Sequence, residues 1–172
     1  MNYLKLLLIL FLSVTTSNLF CQAKKMNKSN IEIKHEVQLK TKEDVVYNAL
    51  STTKGVSGWF SKNSTVESKV KGKIKLIFFK GSPNSVTMKF VINKLDKNKT
   101  IVWTCTENGD EAWVGSTLTW DLSKKGSVKF KHSNFDKKYE KSKNIENIKN
   151  GWKHFILKSF KNYCETGKGS PW

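Results

Sequence analysis

Near the C-terminus, residues 145–163 run IENIKNGWKHFILKSFKNY. Within this stretch Ile145, Ile148, Trp152, Phe155, Ile156, Ser159, Phe160 and Tyr163 recur every three or four positions, the spacing that aligns side chains along one side of an α-helix. The stripe predicts a helix of roughly five turns, stopped at Gly167, since glycine adopts the left-handed conformation that commonly ends a helix. His154 falls off the stripe and is expected at the surface. A single long helix of this kind must bury its apolar side against another layer. The one partner of sufficient size that the chain offers is the concave face of a twisted antiparallel sheet.

The upstream sequence supplies that sheet. Ile31, Ile33, His35, Val37 and Leu39 alternate with polar residues, the period of a half-buried strand. Thr41 stands as an N-cap with Asp44 three positions on, and Val45, Val46, Ala49 and Leu50 form a short amphipathic helix. A second helical turn around Gly55 and Gly58 ends in Trp59-Phe60, whose rings are read as plugging into the interior. Strands are then predicted over 73–80 and 85–94, joined by the turn Gly81-Ser82-Pro83-Asn84. Further strands are predicted over 100–107, over 112–122 and through Val128, Phe130 and His132, with turns at 96–99, 108–110 and 124–126. The order is strand, two short helices, antiparallel meander, long terminal helix.

Composition agrees with one domain. The chain has 172 residues, 38% hydrophobic and 12% aromatic, with two prolines, enough apolar material for a proper core. This excludes a collagen, a disulfide-dense mini-protein and a multi-span membrane protein. All 31 basic residues are lysines, against 14 acids, for a formal charge of +17. They are scattered along the chain, and without arginine there is no bidentate group for bases or phosphates, so no nucleic-acid partner is expected.

The first residues have the layout of a secretory signal peptide: Lys5, an apolar run from Leu6 to Leu12, then a polar stretch ending in Cys21-Gln22-Ala23. Residues 1–23 are expected to be a cleaved signal peptide, 24–29 a short linker and 30–172 a single domain, exported to the periplasm or cell envelope with no membrane span after cleavage. The apolar run is too short to span a bilayer. Cleavage after Cys21 and lipidation of Cys21 remain open. So does a bridge between Cys105 and Cys164, which export would permit. Cysteine and histidine spacing gives no metal-ligand pattern, so neither metal nor cofactor is expected.

Several segments carry a resemblance to a known family. They are Ala49-Leu50-Ser51-Thr52 through Gly58-Trp59-Phe60, then Val102-Trp103-Thr104-Cys105, then Trp113 through Leu122, and Trp152 onward to Trp172. In this order they resemble the START-like (SRPBCC) superfamily, and within it the branch named after the activator of the heat-shock protein 90 ATPase. The resemblance covers about residues 30–172. It implies an α+β helix-grip fold: a curved antiparallel sheet wrapped around a long C-terminal helix, with two short helices after the first strand. It also implies a gap between sheet and helix that holds an apolar or amphipathic small molecule.

The residues can be read the same way. Phe78, Met88, Phe90, Trp103, Leu118, Trp120 and Phe130 fall on inward strand positions, with Trp59, Trp152, Phe155 and Ile156 facing them, a lining suited to a flat apolar ligand. His35 and His132 also point inward, where a polar group needs a partner; they are candidates to orient a ligand or move a proton, or are simply satisfied core histidines. No nucleophile elbow, phosphate loop or carboxylate pair appears in the sequence, so no catalytic residues are assigned. The leading expectation is therefore an exported binding module for a small hydrophobic or amphipathic molecule. The alternatives are a cyclase- or hydrolase-type enzyme using the same pocket, and a protein-binding module resembling the chaperone ATPase activators.

Overall fold

The computed structural model describes residues 27–172. The predicted signal peptide and Cys21 lie outside the described residues. Seven strands form one antiparallel sheet: β1 (Ile33–Gln38), β2 (Asn63–Val66), β3 (Lys73–Phe78), β4 (Val86–Asp96), β5 (Thr100–Glu107), β6 (Thr117–Asp121) and β7 (Ser127–Ser133). Their spatial order is β1-β7-β6-β5-β4-β3-β2. Consecutive strands from β2 to β7 are neighbours, and β1 closes the far edge by pairing Ile33 with His132 and Val37 with Val128. Two short helices, α1 (Glu43–Ser51) and α2 (Thr53–Trp59), follow β1. The arrangement is α+β and helix-grip-like.

Strand alternation sorts the two faces. Ile74, Leu76, Phe90, Ile92, Trp103, Trp120 and Phe130 are buried on the helix side. Lys73, Lys75, Lys89 and Lys129 stand exposed on the other, so part of the basic surplus lies on a solvated sheet face. Fully burying a side chain the size of Phe contributes about 1.5–3 kcal/mol, and the layer between sheet and helix holds most of the large rings.

The helix over that layer runs without interruption from Lys143 to Thr166, as α3 (Lys143–His154), a π-helical stretch (Phe155–Phe160) and α4 (Lys161–Thr166). The buried row Trp152, Ile156, Phe160 and Cys164 steps by four, more than the α-helical turn of about 3.6 residues. A stretch with wider i→i+5 turns holds that row on the sheet side. Gly167 ends the helix at φ 76°, and its N–H bonds to the Tyr163 carbonyl.

Local details differ from the sequence reading. Helix α1 is capped by the backbone of Lys42, without a side-chain cap bond, and not by Thr41; Asp44 instead pairs with Lys97 at 2.9 Å. The side-chain cap belongs to α2, where the Thr52 hydroxyl accepts from the Gly55 N–H at 3.0 Å. Residues 112–116 are not strand: Asp110 caps a 3-10 turn (Glu111–Trp113), and Gly115 turns the chain at φ 81° before β6 begins. His154 is half-buried, stacked on Trp172 at 5.3 Å between ring centres. Asn27 and Ser29 bond through their backbones to Lys137 and Phe135. Cys105 and Cys164 are both buried free thiols. No helix among the described residues is long and apolar enough to cross a membrane.

Candidate functional site

Between the first half of the C-terminal helix and the β3–β4 end of the sheet lies an open cleft of about 430 Å³. Strands β3 and β4 contribute Phe78, Val86 and Met88; the helix contributes Ile148, Gly151, Trp152 and Phe155. Phe60, just past α2, and Trp113, on the 3-10 turn, add two further rings. The last wall is Trp172, brought back by the C-terminal segment 168–172. The N–H of Trp172 donates to the Phe60 carbonyl and its carbonyl accepts from the Lys62 N–H.

These rings pack edge to face and tilted. Phe60 meets Phe155 at 4.8 Å and Trp152 at 5.3 Å, and Trp172 meets Phe155 at 4.7 Å. Phe79 and Trp172 remain 52% and 45% exposed, so the mouth of the cleft is an aromatic surface in contact with water. Gly151 sits inside a helix, where glycine weakens the structure relative to alanine. A Cβ there would meet nothing within 4 Å, so the glycine is not demanded by packing and keeps the floor of the cleft low.

Of the predicted lining, Phe78, Met88, Trp152 and Phe155 come together in this cleft. Trp59, Phe90, Trp103, Leu118, Trp120, Phe130 and Ile156 do not line it; each is 1% exposed or less and belongs to the packed interior. There Trp103 lies 4.4 Å from Trp120, and Phe130 lies 4.4 Å from Trp152, measured between ring centres. The Trp59 indole N–H donates to the Ala49 carbonyl at 2.9 Å, fastening α2 to α1.

The two inward histidines part company. His132 is fully buried. Its Nδ1 accepts from Trp152 Nε1 at 2.9 Å, and its Nε2 lies 2.7 Å from Ser116 Oγ, whose own hydroxyl donates to the Trp113 carbonyl. Because Nδ1 accepts, the proton sits on Nε2 and the ring is neutral; burial pushes its pKa well below 6.5. This is a satisfied core histidine that links β7, the helix and the turn carrying Trp113. His35 is half-buried, stacked on Phe130 at 6.4 Å, and lies away from the cleft in a second hollow lined also by Lys34, Glu36 and Lys131. Its pKa is lowered, first by burial and then by Lys153 and Lys149.

Val86, like Met88, falls on the inward face by alternation, whereas Phe60, Phe79, Trp113 and Trp172 are lining rings that strand alternation and the helical stripe do not single out. Each sits at or beyond an element's end. Among the described residues no group of three His, Cys, Asp or Glu side chains is placed to hold a metal ion.

The grip of the sheet on one long helix, with an apolar cleft between them, defines a START-like (SRPBCC) domain. Residues 40–165 match the family model described as activator of Hsp90 ATPase homolog 1-like protein, and the chain belongs to that family. Among solved structures it is similar to the Aha1 dimer from Colwellia psychrerythraea, at 29% identity and a TM-score of 0.66, covering 81% of this chain and 99% of that one. A Staphylococcus saprophyticus protein at 20% identity covers 81% of this chain and 96% of its own, with a TM-score of 0.61. An AHSA1-like protein from Aeromonas hydrophila at 15% identity covers 77% and 91%, with a TM-score of 0.58. These last two speak to the fold alone. No curated protein matches the chain.

Proposed function

We propose that this protein is a non-catalytic binding module that takes a small hydrophobic or amphipathic molecule into the cleft between β3–β4 and the C-terminal helix. The aromatic cleft of about 430 Å³ carries this reading, because an apolar hollow of that size with few polar groups is the usual form of a small-molecule site. Gly151 supports it: a helix-interior glycine on the cleft floor costs stability and leaves room. In the same reading the sheet curves around the helix, and residues 1–23 direct export to the periplasm or cell envelope before being cleaved.

The test is native mass spectrometry of the protein purified from its own host, beside the variant Gly151→Trp, whose indole fills the cleft. A hydrophobic adduct on the wild type that is lost in the variant is the expected result. An adduct retained by Gly151→Trp, or none on either protein, sinks the reading. Intact mass and cell fractionation in the same preparation check cleavage and compartment.

The family match favours one second reading, stimulation of a chaperone ATPase through a protein-binding surface. That role needs the chain and the chaperone in one compartment. An uncleaved cytosolic protein that raises the ATPase rate of its host's chaperone would support it over ligand carriage.

A further inference from the structure

The charge at the cleft is opposite to the charge of the chain. Among the described residues no lysine lines the cleft; the one charged lining residue among them is Asp110, on the rim, with Asn147 and Asn150 as neutral polar neighbours. Asp110 is fixed in place. Its Oδ1 accepts from the Ala112 N–H at 3.0 Å and from Asn144 Nδ2 at 2.7 Å, which ties the turn bearing Trp113 to the start of the helix. A carboxylate held at the mouth of an aromatic hollow suits a cation, through charge and through attraction of the cation to ring faces. An anionic head would meet the carboxylate with no lysine among the lining residues to offset it.

We infer that the occupant is an amphiphile with a cationic head, such as a quaternary or alkyl ammonium, held at Asp110 with its apolar body against Met88, Trp113, Trp152 and Phe155. The inference rests on the cleft reading above and goes beyond it by choosing the sign of the head. The overall positive field does not reverse the choice. At physiological salt it is screened over about 8 Å, whereas Asp110 acts at the mouth itself.

Calorimetry with decyltrimethylammonium, decyl maltoside and decanoate, each below its micelle-forming concentration and in moderate salt, tests it on the whole protein. The cationic probe is expected to bind about tenfold more tightly than the anionic one, the size of a cation–π contact joined to one partly screened ion pair. Asp110→Asn keeps the carbonyl that caps the turn and removes only the charge, so it should shrink that preference several-fold and leave the neutral probe unaffected. Decanoate binding as tightly as the cation, or a preference unchanged in Asp110→Asn, overturns the head-group assignment. If decyl maltoside still binds and is excluded by Gly151→Trp, the cleft reading survives that failure. If none of the probes binds, the cleft reading falls and the assignment with it.

Discussion

Nε1 of Trp152 donates a 2.9 Å hydrogen bond to Nδ1 of His132 across the interior, so the middle of the long helix is joined to the strand beneath it by one polar contact among rings. Trp152→Phe keeps most of the apolar volume but leaves a buried acceptor unpaired. The expected loss is about 1–3 kcal/mol, read as a lower denaturation midpoint in urea. An unchanged midpoint would mean the bond contributes nothing to the native state.

Acid should destabilise the protein earlier than its carboxylates alone would. His132, and to a smaller degree His35, have pKa values held below the ordinary 6.5. Below that pH the unfolded chain takes up protons that the folded chain refuses. Stability is therefore full above about pH 6.5 and declines as the pH falls toward the folded-state values, by about 1.4 kcal/mol per pH unit for each fully refusing histidine. Urea unfolding between pH 7 and pH 5 measures the slope, and His132→Asn should flatten it. Equal slopes in the two proteins would contradict the assignment.

The two described cysteines should be inert. Burial pushes the thiols of Cys105 and Cys164 up to about 12, and the thiolate is the reactive form. Iodoacetamide at mildly alkaline pH, followed by peptide mapping, should label neither in the native protein and both in urea. Native labelling of either would show that its neighbourhood opens far more readily than the packing indicates.

Two glycines should respond in opposite directions. A Cβ at Gly151 meets open space, and alanine there should raise stability by about 0.5–1 kcal/mol. A Cβ at Gly169 collides with the Gly58 carbonyl oxygen and approaches the Trp59 Cα and the Ser159 carbonyl. Gly169→Ala should therefore lower stability by about 1–3 kcal/mol, as the C-terminal segment is pushed off α2. Thermal melts of both variants check the pair.

Trp172 serves the cleft more than the core, since its ring is 45% exposed yet rests on Phe155. Trp172→Ala should weaken binding of a neutral apolar probe roughly threefold to tenfold, the loss of about 1 kcal/mol of ring contact, with little change in melting temperature. A large drop in stability with intact binding would reverse that view.

Periodicity made most of the sheet and the helix legible in the sequence. The hairpin read over 73–94, whose strands run Lys73–Phe78 and Val86–Asp96 in the structure, and the inward facing of His35 and His132 follow from alternation alone. Strand β2 was hidden because Asn63-Ser64-Thr65-Val66 carries almost no apolar signal: it is an edge strand, and its buried Ser64 is satisfied by the Ser61 carbonyl. The region around Trp113 looked like a strand because a capped turn obeys no period. The candidate site was legible only in part for the same reason. Alternation and the stripe bring out Phe78, Met88, Trp152 and Phe155, but they cannot separate a ring facing a hollow from a ring such as Trp103 sealed in the middle. Phe79 at φ 51°, Trp113 and Trp172 owe their positions to turns and to the returning chain end.

The pairing of Ile33 with His132 also sets a timetable. Strand β1 has no neighbour in the sheet until β7, which begins only at Ser127, has been translated. The early part of the nascent chain must wait with an open edge. Topologies built on such distant partners assemble slowly and stay exposed to aggregation meanwhile, so synthesis of this protein should benefit from a holdase that guards β1 until its partner arrives.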